Sequence, residues 1–207
     1  ESDDVIGFDF GIVNILTDSD GMKHTGVQVE NIRRTFTHRR RNLQRKSTRA
    51  ATRKLKQISG QQANFQRTEN HRISKQIVSV AKRTGRGIAI EDLTHIRERV
   101  SANKKQRTRL SNWGFAQLRA FLSYKTQLAG VPVFAVDPRN TSRQCEKCGC
   151  IDKKNRQTQS LFRCISCGYT QDADINASRN IRLRGLSTSH EGLGSVARDK
   201  PLALAMG

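Results

Sequence analysis

The sequence predicts an α/β domain, with one mixed five-stranded sheet flanked by helices and two insertions, a basic helical pair and a four-cysteine module. Three observations predict it. Apolar or alternating runs follow one another within residues 5–29 with only turns between them, the pattern of an antiparallel meander. Two later apolar runs, 87–91 and 131–136, are each reached through a stretch of helical periodicity, the crossover that a parallel strand requires. Five cysteines all fall within 23 residues near the end of that pattern.

Each element has its own signal. Residues 5–10 (VIGFDF) read as a short core strand, Ile12–Thr17 continues extended, and Asp18-Ser-Asp-Gly21 is a turn. His24–Val29 alternates and predicts a third strand. Residues 31–58 read as a helix with a narrow apolar seam, and residues 62–84 as a second, with Ile73, Ile77 and Val80/Ala81 on one face and Gly85 ending it. GIAIE (87–91) is a buried strand, and 97–110 is a polar, basic loop. Residues 113–129 carry Phe115, Leu118, Leu122 and Ala129 on one helical face, Gly130 stops that helix, and Val131–Val136 is the fifth strand. Asp174, Ala177, Ser178 and Ile181 share one face of a last helix, and 186–207 reads as a tail. The order βββ-α-β-α-β, then four cysteines, then α, matches a ribonuclease-H-like architecture.

Composition narrows the function. With 38 Lys+Arg against 18 Asp+Glu, the 207-residue chain carries a formal charge of +20. Such a balance points to a polyanionic partner, nucleic acid before membrane. The longest apolar run, Val131–Val136, is six residues with a proline inside, whereas a membrane span needs about 20. The acidic start ESDDV has no apolar stretch of the kind a secretory signal requires, so a cytoplasmic protein is expected. There is no initiator Met and a strand pattern begins by Val5, so the chain is expected to be a fragment or processed piece. Residues 31–58 hold eleven cations and no acid, among them Arg33, Arg34, Arg39, Arg40, Arg41, Arg45, Lys46, Arg49, Arg53 and Lys54. A solvated charged face is the ordinary explanation of a charge run. Eleven like charges repel one another, however, so a phosphate backbone is the better partner; Arg143 is added to this candidate interface.

Cys145, Cys148, Cys164 and Cys167 form C-x2-C-x15-C-x2-C, with Gly149 and Gly168 closing the two pairs. Two such knuckles can place four thiolates tetrahedrally around one Zn²⁺, leaving no open position for chemistry, so the site is structural. Two disulfides are the alternative, but no secretory signal supports them and the odd fifth cysteine, Cys150, counts against them. Cys150 is read as an ordinary free thiol. Three acids stand out. Asp9 lies inside the first core strand, on the face of Val5 and Gly7, whose small neighbours leave room for a ligand. A carboxylate there is costly unless paired or metal-bound. Glu91 ends the GIAIE strand, and Asp174 opens the last helix on its core-facing seam, with Asp172 turned away. A cap or ion pair would explain any one of them alone. Together, at one edge of such a sheet, they suit one or two Mg²⁺ or Mn²⁺ ions and phosphodiester hydrolysis.

Several stretches, in order, resemble a known family: Gly7-Phe-Asp-Phe-Gly-Ile-Val-Asn14, Ile88-Ala-Ile-Glu-Asp-Leu93, Val136-Asp-Pro-Arg-Asn-Thr-Ser142, Cys145-Glu-Lys-Cys-Gly149, Cys164-Ile-Ser-Cys-Gly168 and Asp172-Ala-Asp-Ile-Asn-Ala177. The chain is similar to the C-terminal nuclease half of the transposon-encoded TnpB (OrfB) family, relatives of the compact type V CRISPR effectors. The resemblance implies a RuvC-type, RNA-guided DNA endonuclease with guide RNA and target DNA as partners, and with Asp9, Glu91 and Asp174 as its catalytic acids. It divides the chain into a nuclease core over 1–139 with the basic helical insertion at about 31–84, a zinc ribbon that binds target nucleic acid over 140–170, the final nuclease helix over 171–185 and a tail over 186–207. The family's N-terminal recognition part has no counterpart in these residues, and Phe8 and Phe10 stand where aliphatics are usual. Two rivals are a catalytically silent RNA-guided DNA-binding regulator and an unguided zinc-ribbon nucleic-acid binder. Retention of all three acids favours the enzyme.

Overall fold

A computed structural model describes residues 4–11, 14–92 and 115–192 of the chain. The first strands follow from their residues. β1 (Val5–Asp9) and β2 (Asn14–Asp18) pair antiparallel, and β3 (Lys23–Thr25) pairs antiparallel with β2. β4 (Gly87–Glu91) and β5 (Val133–Val136) add in parallel on the other side of β1, giving the order β3-β2-β1-β4-β5. The mixed five-stranded sheet is thus the one the sequence predicts.

Alternation along β1 sorts its side chains to two layers. Ile6 and Phe8 join Ile15, Leu16, Ile88 and Ile90 under two helices, α2 (Arg49–Thr84) and α3 (Phe115–Ala129), whose Ile73, Ile77, Ala81, Leu118 and Leu122 complete this core. On the other face Val5, Ala89 and Val136 meet Ile181 of the last helix, α4 (Ala173–Gly192). A Cβ on Gly7 would lie 2.1 Å from the Ser178 carbonyl oxygen and 2.5 Å from the Arg182 nitrogen. The space beside Asp9 that the sequence assigned to a ligand is therefore filled at Gly7 by the α4 backbone. Only glycine allows the helix to lie that close to the strand.

Other boundaries also move. His24–Val29 does not continue as strand: α1 (Val27–Gln44) begins there, and Glu30 pairs with Arg33 and Arg34 one turn on, a helical spacing. The break between the two basic helices falls at residues 45–48, not near 60. Ser47 takes a left-handed φ of 47°, and the Thr48 hydroxyl accepts the Ala51 N–H at 3.2 Å, capping α2. α2 then runs unbroken through Gly60, and its second half supplies core residues. α1, by contrast, buries no residue at all. α4 continues to Gly192, seven residues past the expected end at 185. The expected loop at 97–110 and the remainder of the expected tail, 193–207, lie outside the described residues.

The cysteine module forms its own small body. β6 (Leu161–Arg163) and β7 (Thr170–Asp172) pair antiparallel, a single 3₁₀ turn spans Lys153–Asn155, and Cys145, Phe162, Cys164 and Ala173 pack together. Asn155, fully buried, donates to the Arg143 and Cys150 carbonyls at 2.9 and 3.1 Å and accepts from Ile165 N–H at 2.9 Å, bracing the knuckles.

Candidate functional site

The parallel register Gly7↔Ala89 and Phe8↔Ile90 brings the ends of β1 and β4 side by side, with Asp9 and Glu91 both on the α4 face. Asp174 stands on the first turn of α4, where it crosses that face. Its seam is as the sequence predicts: Ala177, Ser178 and Ile181 are all buried. The Asp9 carboxylate accepts no hydrogen bond and forms no ion pair among the described residues. Burial pushes its carboxyl up to about 8, and the charges of Glu91 and then Asp174 push the same way. Burial also raises the Glu91 carboxyl, partly offset by a hydrogen bond from Thr141 and by Arg184. A carboxylate whose ionisation is opposed by burial and by two neighbouring acids is the electrostatic setting of a cation site. The three acids are nonetheless splayed: among the described residues, the only group whose ligand atoms all lie within 4.8 Å of one another is the cysteine cluster.

Three neighbours of these acids were not legible in the sequence. Asn14 donates to Asp174 Oδ2 at 2.9 Å, Arg156 reaches Asp174 Oδ1 at 3.4 Å, and the Thr141 hydroxyl meets Glu91 Oε1 at 2.5 Å. Arg156 and Thr141 belong to the ribbon and its connector, and they come to the sheet only through tertiary packing. Asp172 is engaged elsewhere. One of its oxygens accepts from the Asp174 and Ile175 amides at 3.1 and 3.2 Å, and the other pairs with Lys23 at 2.6 Å. It is the cap of α4.

In the ribbon, Cys145 and Cys167 Sγ lie 3.7 Å apart, and Cys148 and Cys164 Sγ 3.5 Å apart. A tetrahedron with Zn–S near 2.3 Å has edges of about 3.8 Å. The four sulfurs therefore fit a zinc ion as they stand, while Cys150 lies outside the set. Gly149 and Gly168 adopt φ of 74° and 73°, and each donates its N–H to the carbonyl of the first cysteine of its pair, at 2.9 and 3.0 Å. Burial pushes the Cys145 thiol up to about 12; at Cys164 burial is outweighed by hydrogen bonds from the Cys167 and Ser166 amides together with those of the Cys148 and Cys167 thiols, and the thiol comes down to about 6.

The ribbon is fastened to α4 rather than hinged on it. Asn176 accepts from Glu146 N–H at 3.2 Å and donates to the Gln144 carbonyl at 2.8 Å, while Asn180 donates to the Thr141 and Gln144 carbonyls at 2.9 and 2.7 Å. Arg179 pairs with Glu146 at 2.7 Å, and the Tyr169 hydroxyl donates to the same carboxylate.

The basic segment divides. Arg33 and Arg34 are both engaged by Glu30, and Arg40 donates to Ser59 at 3.0 Å. Arg39, Arg41, Arg45, Lys46, Arg49, Arg53 and Lys54 are exposed on α1, its exit turn and the start of α2, and Arg143 is exposed at the ribbon's entry. Among the described residues no helix is long and apolar enough to cross a membrane.

Comparison with known proteins places this geometry among relatives. Residues 115–181, from α3 into α4, match a family model described as "Cas12f1-like, TNB domain". Over 173 residues the chain is 38% identical to a CRISPR-associated endodeoxyribonuclease Cas12f1 of Sulfoacidibacillus thermotolerans, covering 78% of this chain and 40% of that one. It is 34% identical over 176 residues to a TnpB-like protein of Methanocaldococcus jannaschii, covering 80% and 62%. In three dimensions it matches Cas12f1 in a complex with a single guide RNA and target DNA, with a TM-score of 0.69 and 20% identity over 88% of this chain and 50% of that one. At that identity the match speaks for the fold alone. The chain thus spans 40% and 62% of the length of the two sequence relatives.

Proposed function

We propose that this chain, which is similar to TnpB-like and Cas12f1 proteins, is the nuclease portion of an RNA-guided DNA endonuclease of their family. The observation that carries this reading is Asp9, a carboxylate at the end of a core strand with no hydrogen-bond or ion-pair partner among the described residues and two acids beside it. A carboxylate so placed is costly to ionise, and a bound cation would offset that cost more fully than the nearby Arg156 does. A nuclease core over 1–139, a ribbon over 140–170 and a final nuclease helix, which runs on to Gly192 rather than ending at 185, belong to the same proposal.

Asp9, Glu91 and Asp174 offer hard oxygen ligands suited to Mg²⁺ or Mn²⁺. When bound, such ions polarise a scissile phosphate and lower the pKa of an attacking water. The chain's own residues do the rest. Asn14 fixes one oxygen of Asp174, Thr141 fixes one of Glu91, and the Arg156 guanidinium brings positive charge to the place where a phosphate would enter. Cys145, Cys148, Cys164 and Cys167 would hold zinc, which would fix the loop that bears Arg156. Guide RNA and target DNA are the polyanions that the exposed cations of α1 and α2 meet.

The deciding experiment sets two neighbouring acids against each other. Asp174→Ala in the full-length protein should abolish cleavage of matched DNA while RNA binding persists. Asp172→Ala removes the α4 cap and should cost stability, about 1 kcal/mol, with cleavage retained. Full cleavage by Asp174→Ala together with loss in Asp172→Ala would assign the third ligand to the wrong residue.

The cations of α1 and α2 should track phosphates rather than read bases. Neutralising Arg39, Arg40 and Arg41 together is expected to weaken binding to matched and unmatched DNA alike. It should flatten the salt dependence by up to about 0.9 per lost contact on duplex and about 0.7 on single strands. An unchanged salt slope with altered sequence preference would mean that these arginines contact base edges.

A further inference from the structure

Among the described residues Glu91 accepts one hydrogen bond, and the donor belongs to none of the elements that carry the three acids. It is Thr141 Oγ1, at 2.5 Å from Glu91 Oε1, in the connector between β5 and the ribbon, four residues ahead of Cys145. Thr141 is 3% exposed. Its position is fixed from the opposite side, because Asn180 of α4 donates to its carbonyl at 2.9 Å and to that of Gln144 at 2.7 Å. A hydroxyl has one proton to give. The other acceptor in reach is the Pro138 carbonyl at 3.1 Å, which is both farther away and uncharged. An ionised carboxylate cannot donate, so the proton belongs to Glu91 Oε1, as a short charge-assisted bond. The second oxygen, Oε2, accepts no hydrogen bond among the described residues.

We propose that Thr141 is a positioning residue for cation binding by Glu91: its buried hydroxyl, latched in place by Asn180, holds one carboxylate oxygen and leaves the other available to the metal. The inference rests on the reading of Glu91 as a ligand. Partners of this kind fix the orientation of ligating side chains, and their loss typically costs about 10–100-fold in metal affinity or activity. The sheet supplies the second acid, but the ribbon's connector aims it. Ribbon and acid site are then joined at two points, Thr141 on Glu91 and Arg156 on Asp174.

The test is Mn²⁺ binding to the zinc-loaded, RNA-free chain, measured by calorimetry for Thr141→Val, Thr141→Ser and Glu91→Ala. Thr141→Val keeps the shape and removes the donor; it should bind Mn²⁺ roughly 10–100-fold more weakly. Thr141→Ser keeps the hydroxyl and should stay within about threefold of the parent, the discrimination that a donor role demands. In the full-length protein, the Mn²⁺ concentration for half-maximal cleavage should rise in Thr141→Val by a similar factor, with the rate largely recovered at saturating Mn²⁺. A purely structural role would lower the rate and the thermal midpoint without moving that concentration. Parental Mn²⁺ affinity in Thr141→Val, with affinity lost in Glu91→Ala, overturns the proposal and spares the ligand reading. Parental affinity in Glu91→Ala overturns the ligand reading and the proposal with it. If Thr141→Val does not fold, Thr141→Ala measured below its thermal midpoint is held to the same two outcomes.

Discussion

Asp9→Asn is expected to abolish DNA cleavage and, at the same time, to stabilise the metal-free protein at alkaline pH. The first effect follows from removing a ligand at a site where the metal contributes several kcal/mol to transition-state stabilisation. A loss of about 4 kcal/mol is roughly 10³-fold in rate. The second follows from the sign of the Asp9 shift. Its carboxyl is raised by burial and by Glu91 and Asp174 from an ordinary 3.8 to about 8, so the folded protein holds this proton more tightly than the unfolded chain. The stability this gives is fully present below the ordinary carboxylate range and drains away as the pH rises towards about 8. Asparagine carries no charge at any pH and is free of that loss. Thermal denaturation of the metal-free proteins between pH 5 and pH 9 should therefore show the parent falling more steeply than Asp9→Asn. Added Mg²⁺ should restore the parent at high pH and leave the variant unchanged. Equal pH profiles for the two proteins would mean that Asp9 is not held among like charges.

Removing the zinc should have the next largest effect. Four sulfurs 3.5–3.7 Å apart in their closest pairs leave the ribbon only a small core around Phe162 without the metal. Structural zinc contributes about 10–16 kcal/mol in isolated finger peptides, far more than so small a core can replace. Cys145→Ser or Cys164→Ser should lose the β6–β7 pair. The ribbon's hold on α4, through Glu146, Asn176 and Arg179, should go with it. Arg156 then leaves Asp174, Thr141 loses its fixed position against Glu91, and cleavage fails although the sheet remains folded. Metal analysis should give one zinc per chain in the parent and in Cys150→Ser alike. A stoichiometry of zero in freshly reduced protein would contradict the site.

How far the sequence reaches depends on the range of each interaction. The sheet was legible because alternation and apolar runs report burial directly, and so Asp9 could be placed on one face from the parity of five residues. The cysteine site was legible because its ligands come in two local pairs. Helix ends were less so. Residues 31–58 and 62–84 read as two helices, yet at Gly60 between them a Cβ would meet nothing within 4 Å and one helix simply runs past it. The true break depends on the left-handed turn at Ser47 and the cap at Thr48, which a basic stretch with neither glycine nor proline conceals. His24–Val29 alternates like a strand, but Val29 packs on the core from within a helix. Nothing local tied Thr141, Asn14 and Arg156 to the acids, because each meets its acid across 18 to 160 residues of chain. Gly7 was seen as small but assigned to the wrong neighbour, since no local pattern tells a ligand from a crossing helix.

The central claim is metal-dependent cutting directed by a bound RNA, and one measurement meets it directly. The RNA that co-purifies with the full-length protein is sequenced, and DNA matched or unmatched to it is incubated with the complex in Mg²⁺ or in EDTA. Cleavage is expected for matched DNA in Mg²⁺ alone. Equal cleavage of unmatched DNA, or cleavage that persists in EDTA, would contradict the account.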